Sequence, residues 1–207
     1  MKQALITRID NGTAPDWAQI PLMEICEPVL LPGTSVAACG QICYDATALY
    51  LHLFAKEDEI LAREYGPLAM PCRDSCLEFF FCPIEGDRRY FNFEFNPAKC
   101  LFLGLGAGSG TVVRLLPQDD PDWILKLFCP EVAIHPDGWE ITYRIPFSFI
   151  RRFFPDFAAK AGSRIRGNFY KCADLAQKPH YLCWNPVTGT TGSVFHAPED
   201  FGELTFA

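Results

Sequence analysis

Long apolar runs and clusters of positive charge are both missing from this 207-residue sequence. No stretch approaches the length of a membrane-spanning helix, and residues 1–10 lack the apolar core of a signal peptide. We therefore expect a cytoplasmic protein without a membrane partner, or a secreted or periplasmic one if a leader has been removed. The net charge is −7, and Lys and Arg are not concentrated in any segment, so nucleic acid is not an expected partner.

Familiar catalytic and metal motifs are also missing. The sequence has no G-x-S-x-G, P-loop or HExxH motif, and its glycine-rich segment 104–110 lacks the Lys-Ser/Thr ending of a phosphate loop. Its 10 Cys include no CxxC pair, and spacings such as Cys72-x-x-x-Cys76 do not predict a zinc site. The 3 Met offer few axial ligands, which makes a haem-binding cytochrome-type sandwich a weak alternative. These motifs assign no cofactor.

Aromatic residues are abundant instead. They make up 14% of the chain, and the hydrophobic fraction of 49% is enough for a core. Phe and Tyr favour pleated surfaces, and the candidate strands do not alternate with helices. We predict one all-β domain over residues 1–207: an antiparallel β-sandwich, jelly-roll-like, with one or two short helical turns at 148–152 and 58–64. The predicted strands are 37–44, 48–54, 75–82, 90–96, 99–105, 139–146, 164–170, 180–184 and 202–206.

One predicted strand, 90–96, has a clear two-sided pattern. Its phenylalanines alternate with polar residues, so that one side belongs in the core. The other side carries Tyr90, Asn92, Glu94 and Asn96, which offer hydrogen-bond donors and acceptors without long charged stems. Binding pockets hold a few convergent polar groups of this kind, and a solvated sheet face is the alternative interpretation.

The strand 164–170 repeats this pattern. Arg166, Asn168 and Tyr170 share the side opposite to its apolar residues. A guanidinium supplies several donors in a fixed fork, so Arg beside Asn suits sugar hydroxyls. The alternative is a cross-strand ion pair of Arg166 with Glu94 or Glu78, which contributes little to stability if it is exposed.

Two further residues are candidates for the same site. Trp184 lies near a turn, where an indole could stack on the apolar face of a sugar, although a core position is equally common for Trp. Glu78 could accept hydrogen bonds from sugar hydroxyls. Glu78 and Glu94 could also form the acid/base pair of an endoxylanase-like glycoside hydrolase, but the sequence does not fix the distance between them. Non-catalytic sugar binding is the preferred interpretation, and no catalytic residue is assigned.

Five segments together resemble carbohydrate-binding module family 9, and especially its stand-alone, family 9-like branch. The segments are DSCLEFF (74–80), YFNFEFN (90–96), RGNFYK (166–171), HYLCWNP (180–186) and FHAPEDFG (195–202).

This resemblance implies a β-sandwich that binds the chain ends of glucan- or xylan-type oligosaccharides, and it implies structural calcium. In the xylanase-attached modules of the family, two Trp rings clamp the sugar while Glu, Arg and Asn hold its hydroxyls. Glu78 matches the family's glutamate and Trp184 its downstream Trp. Cys72 occupies the position of the upstream Trp, so the two-ring clamp is not expected here. Tyr90 or Tyr170 is the candidate replacement.

Overall fold

A computed structural model describes residues 1–31, 34–116, 120, 122–189 and 194–207. Its strands are β1 (Gln3–Arg8), β2 (Met23–Ile25), β3 (Glu27–Pro28), β4 (Ala37–Tyr44), β5 (Ala48–Lys56), β6 (Cys76–Cys82), β7 (Tyr90–Phe95), β8 (Leu101–Gly106), β9 (Val113–Arg114), β10 (Glu131–His135), β11 (Gly138–Pro146), β12 (Arg164–Ala173), β13 (His180–Cys183) and β14 (Gly202–Phe206). The helices are α1 (Trp123–Phe128), α2 (Phe147–Phe153) and the 3-10 turns Trp17–Gln19, Pro71–Arg73 and Pro198–Asp200. Within these ranges no helix is both long and apolar enough to span a bilayer.

The strands form the two layers of a β-sandwich. One layer, sheet A, has the order β1-β14-β12-β6-β7-β8-β9, with β13 and β3 added beside the far end of β12. The other layer, sheet B, has the order β10-β11-β5-β4-β1, with β2 at β4. The pairings are antiparallel except at β1, which runs parallel to β14 through its first half and to β4 through its second half. β1 therefore joins the two sheets.

All nine predicted strands are present, and their alternation explains the packing. The side of sheet A that faces sheet B carries Phe79, Phe81, Phe91, Phe93 and Phe95, all fully buried. Leu, Ile and aromatic residues of β4, β5 and β11 complete this main core from the other sheet. Stacked and edge-on ring contacts, such as Phe79 with Phe169 at 4.6 Å between centroids, fill the space between the layers.

The helical predictions are half right. The turn predicted at 148–152 is α2, whereas α1 was not predicted. The turn predicted at 58–64 is wrong, because this segment is held in an irregular conformation by side-chain acceptors. The backbone N–H groups of Arg63 and Glu64 each donate to Asp74 Oδ2 at 2.7 Å, and that of Leu61 donates to Ser75 Oγ at 2.9 Å. Backbone donors used in this way are not available for helical hydrogen bonds.

A buried ion pair joins the two sheets at one end of the main core. Lys171 Nζ on β12 lies 3.0 Å from Glu57 Oε2, directly after β5, and both side chains are within 1% of complete burial. Trp139 Nε1 donates to Glu57 Oε1 at 2.7 Å, and His180 Nε2 lies 3.7 Å from Glu57 Oε2. Two charges removed from water in this way depend on each other, because either one alone would be buried without compensation.

We expect Lys171→Met to lower the free energy of unfolding by about 3–5 kcal/mol, because it leaves the Glu57 carboxylate buried without a partner. The double variant Glu57→Gln/Lys171→Met should be more stable than this single variant. Urea denaturation measures both effects. The matched control is Lys56→Met, which removes an exposed pair with Asp137 (3.1 Å) and should change stability very little. Equal losses in Lys171→Met and Lys56→Met would contradict this account.

Candidate functional site

The candidate site lies on the outer side of sheet A, opposite the main core. Register pairs place Tyr170, Glu78, Glu94 and Phe102 in one row across β12, β6, β7 and β8. A neighbouring row contains Tyr181, Cys172 and Cys76 from β13, β12 and β6. Because strand side chains alternate, these residues all point to the same side of the sheet.

A cavity of about 310 Å³ opens over these two rows. Its volume is at the small end of the range for small-molecule sites. Aromatic rings form much of its wall, and the carboxyl groups of Glu78 and Glu94 contribute to its polar surface. The lining residues are Leu30, Met70, Cys72, Glu78, Phe80, Glu94, Phe102, Cys172, Asp174, Tyr181, Val194, Phe195 and His196.

Residues 194–201, here called the covering segment, close the rest of this sheet face. Phe195 stacks on Tyr170 at 4.1 Å between ring centroids, and its carbonyl accepts a hydrogen bond from the Tyr170 hydroxyl at 3.1 Å. His196 Nδ1 is 2.7 Å from the hydroxyl of Tyr90. Phe201 packs edge-on against Tyr90. Tyr90 and Tyr170 thus hold the covering segment in place and are themselves fully buried beneath it.

Glu78 and Glu94 form a pair of buried carboxyl groups, directly opposite each other on β6 and β7. They are 2% and 5% exposed. Burial raises the pKa of Glu78, and hydrogen bonds from the Cys172 and Cys76 thiols offset part of this rise. Burial also raises the pKa of Glu94 well above its ordinary value, and the charge of Glu78 raises it further. Two like charges on neighbouring residues oppose each other, so a form with one carboxyl protonated is favoured over the doubly ionised pair.

Asn92 orients Glu94 from the next position on the same face of β7. Its Nδ2 donates to Glu94 Oε1 at 2.7 Å, inside the protein. Gly104, opposite Asn92 on β8, leaves room for this contact, because a Cβ there would overlap Asn92 Oδ1. Asn92 therefore acts on the cavity through Glu94, and it does not line the cavity itself.

Three other predicted site residues hold the structure together away from the cavity. Asn96 Oδ1 accepts from the N–H groups of Ala98 and Cys100, and its Nδ2 donates to Asp74 Oδ2. Asn168 Nδ2 donates to the Asn185 carbonyl at 2.9 Å. Arg166 does not pair with Glu78 or Glu94, as the ion-pair alternative supposed. Its Nη2 donates at 2.8 Å to two carbonyls of the covering segment, those of Glu199 and Phe201.

Trp184 lies in the main core and does not line the cavity. Its exposed fraction is 4%, and its ring packs edge-on against Phe169 and over Gly202, where a Cβ would overlap it. Stacking of a sugar on Trp184, as predicted from its position near a turn, is therefore corrected to the core alternative. Leu182 and Trp184 lie in the main core while Cys183 between them lies on the other side, so strand alternation places the ring on the core side of sheet A.

Sequence patterns do not identify most of the residues that form the cavity wall. Phe102, Tyr181 and Phe195 are half-buried rings at its rim, and none stood out from the 18 Phe and 7 Tyr of the chain. Local alternation gave no signal for Tyr181 either, because its place beside Cys172, on the face that carries Glu78, depends on the register between β13 and β12. Cys72 lines the cavity at the position where the family resemblance places the upstream Trp.

The calcium that the family resemblance implies requires a cluster of oxygen ligands. In the described ranges, one group of His, Cys, Asp and Glu side chains is close enough to share a metal ion: Cys76, Glu78 and Cys172. Two thiols do not fit calcium, which takes six to eight oxygen ligands. Two carboxylates of the covering segment have other partners: Glu199 pairs with Arg88 at 3.0 Å, and Asp200 accepts from the Thr188 hydroxyl at 2.9 Å.

Comparison with known proteins gives the family. The sequence model of carbohydrate-binding family 9 matches residues 34–206, more than four-fifths of the chain. The chain belongs to carbohydrate-binding family 9. Carbohydrate binding without catalysis is therefore the class of function that family membership gives it. None of the curated proteins matches this family 9 chain in sequence.

Solved structures agree with this fold. A crystal structure from Bacteroides uniformis, provisionally described as a carbohydrate-binding protein, is 26% identical with a TM-score of 0.82, over 100% of this chain and 99% of that one. A family 9 module from Caldicellulosiruptor kristjanssonii in complex with glucose is 14% identical with a TM-score of 0.66, over 100% and 96%. The cellotriose complex of a family 9 module from the same organism is 13% identical with a TM-score of 0.67, over 99% and 93%.

His196 provides a pH test of how the covering segment is held. Burial lowers the pKa of His196 to about 4, below the value of about 6.5 for an unfolded His. Between these pH values the native state therefore binds fewer protons at His196 than the unfolded state does. The stability that comes from keeping His196 neutral is fully present above about pH 6.5 and is lost as pH falls towards 4. We expect His196→Gln to lose less stability than the wild type between these pH values, measured by urea denaturation. Parallel losses in the two proteins would show that His196 is not held neutral.

Proposed function

We propose that the cavity over Glu78 and Glu94 binds the end of a neutral oligosaccharide of the glucan or xylan type. The observation that carries this proposal is the pair of adjacent carboxyl groups at the cavity wall, whose raised pKa values favour a protonated carboxyl beside an ionised one. Such a pair offers a hydroxyl donor and several acceptor oxygens side by side. Neighbouring sugar hydroxyls each donate and accept, so they complement this arrangement. The family 9 modules in complex with glucose and cellotriose support this class of ligand.

In this proposal the aromatic rings at the rim contact the sugar in place of the two Trp rings that the family resemblance implies. Tyr181, Phe195 and Phe102 keep part of their rings exposed, and a sugar's apolar C–H face packs on such surfaces. Phe102 is braced by Arg114, whose guanidinium lies 4.5 Å from the ring centroid. Phe195 is braced by Tyr170. A cavity of about 310 Å³ suits a terminal sugar better than the middle of a long chain. Glucan and xylan ends remain alternatives within this proposal.

The hydrolase alternative is disfavoured by the same geometry. A glycosidase places its two carboxyl groups on either side of the bond to be broken. Glu78 and Glu94 stand next to each other on neighbouring strands of one sheet face, and both therefore approach a ligand from the same side. We propose binding without bond cleavage, and we expect no release of nitrophenol from aryl glucosides or aryl xylosides.

Calorimetric titration with glucose, cellotriose and xylotriose tests this function. We expect binding of at least one sugar, and Tyr181→Ala should weaken it about 10-fold, since an aromatic contact contributes about 0.5–1.5 kcal/mol beyond its burial. Glu78→Gln should weaken it about 10- to 100-fold, because an amide replaces one acceptor oxygen of the carboxyl pair with a donor.

Tyr50→Ala is the matched control, because Tyr50 is a half-buried tyrosine on β5 of sheet B, away from the cavity. It should leave sugar affinity unchanged. Binding that is lost equally in Tyr50→Ala and Tyr181→Ala, or no binding of any sugar by the wild type, would contradict the proposal. Tryptophan fluorescence is a poor probe here, since Trp184 and Trp139 are core residues and no Trp lines the cavity.

A further inference from the structure

Two cysteines that are distant in sequence meet at the floor of the cavity. Cys76 and Cys172 are register partners on the antiparallel strands β6 and β12, which places their Cα atoms about 4.5–5.5 Å apart. Both thiols are free, and both residues are at most 2% exposed. Their Sγ atoms and a carboxylate oxygen of Glu78 all lie within 4.8 Å of one another. Sequence spacing does not show this cluster, because its two halves are 96 positions apart.

The side chains of the cluster are already close to one another. Cys172 Sγ lies 3.1 Å from Glu78 Oε1 and 3.8 Å from the Cys72 carbonyl oxygen. The other carboxylate oxygen, Glu78 Oε2, is buried and has no hydrogen-bond partner among the described residues. An acceptor left unpaired in the interior costs free energy, and this cost would be removed by a bound cation.

We propose that Cys76, Glu78 and Cys172 bind a thiophilic divalent cation of the Zn²⁺ class, with a fourth coordination position open to the cavity. Zn²⁺ takes thiolate, imidazole and carboxylate ligands in tetrahedral geometry. Zinc–sulfur bonds of about 2.3 Å place tetrahedral ligand atoms about 3.8 Å apart. The ligand atoms of the cluster lie within 4.8 Å of one another, and the 3.1 Å contact between Cys172 Sγ and Glu78 Oε1 must lengthen slightly to admit the metal. Three protein ligands and one open position are the arrangement of zinc sites that accept an external ligand.

The cavity gives a metal ion access to the cluster, and the two thiols make metal affinity depend on pH. Glu78 and Cys172 line the cavity, so an ion can reach them from solvent, while Cys76 lies behind them. Glu94 stands opposite Glu78 and can accept a hydrogen bond from a water on the metal. Binding converts two thiols to thiolates, and their protons leave to the buffer, so affinity should increase with pH.

Cobalt substitution tests the site directly. The experiment uses the full chain in a Cys26→Ser/Cys129→Ser background, which removes the two exposed thiols, with an inert phosphine reductant present. Titration with CoCl₂ should produce a thiolate-to-cobalt charge-transfer band that saturates at one equivalent. ZnCl₂ should then remove this band stoichiometrically. Cys172→Ser and Glu78→Gln should each lose the band or bind much more weakly.

Cys43→Ser is the matched control, because Cys43 is a fully buried free cysteine in sheet B. It should retain the band. Circular dichroism shows whether each variant is folded. If Cys172→Ser does not fold, Glu78→Gln takes its place as the variant that should lose the band. The absence of a charge-transfer band in the folded parent protein, or a band that persists in Cys172→Ser, would overturn the proposal. Sugar titration of the same protein in EDTA is a separate readout, so the failure of one proposal does not imply the failure of the other.

Discussion

Apolar and polar side chains alternate along β6, β7 and β12, so sheet A has one face that must be buried and one that needs polar partners. The rest of the structure provides for both faces. One face carries a row of phenylalanines that must pack against sheet B. The other carries carboxyl, amide and thiol groups that cannot be left buried without partners. A shift of one residue in the register would exchange these faces, so the phenylalanine core also fixes where the polar groups point. The cavity is thus a consequence of core packing.

The covering segment then decides which part of the polar face remains accessible. It buries Tyr90 and Tyr170, and its carbonyls take the donors of Arg166, so most of the face becomes a second, smaller core. The part of the chain that the structure describes leaves a cavity at the end with Glu78 and Glu94. Strand register places these carboxyl groups opposite each other, while Asn92 donates to Glu94 and the Cys172 thiol contacts Glu78. Burial raises the pKa of both groups, and the charge of Glu78 raises the pKa of Glu94 further.

The sequence predicted the strands and the two-sided face, because alternation is a local property of the chain. It also singled out Glu78 and Glu94, which the structure places at the cavity wall. It could not separate these two from Asn96 or Asn168, because that separation depends on contacts with Asp74 and Asn185, which are distant in sequence. The burial of Trp184 follows from the core side that it shares with Leu182 and from the space at Gly202, so a position near a turn does not predict an exposed ring. The meeting of Cys76 and Cys172 depends on strand register, which spacing does not contain.

The most direct test of the central claim is a crystal structure of the protein grown with cellotriose. The account predicts a terminal sugar in the cavity, with hydroxyls within hydrogen-bond distance of Glu78 and Glu94 and a ring face on Tyr181, Phe195 or Phe102. A sugar bound elsewhere on the molecule, with the cavity over Glu78 and Glu94 containing only water, would contradict it.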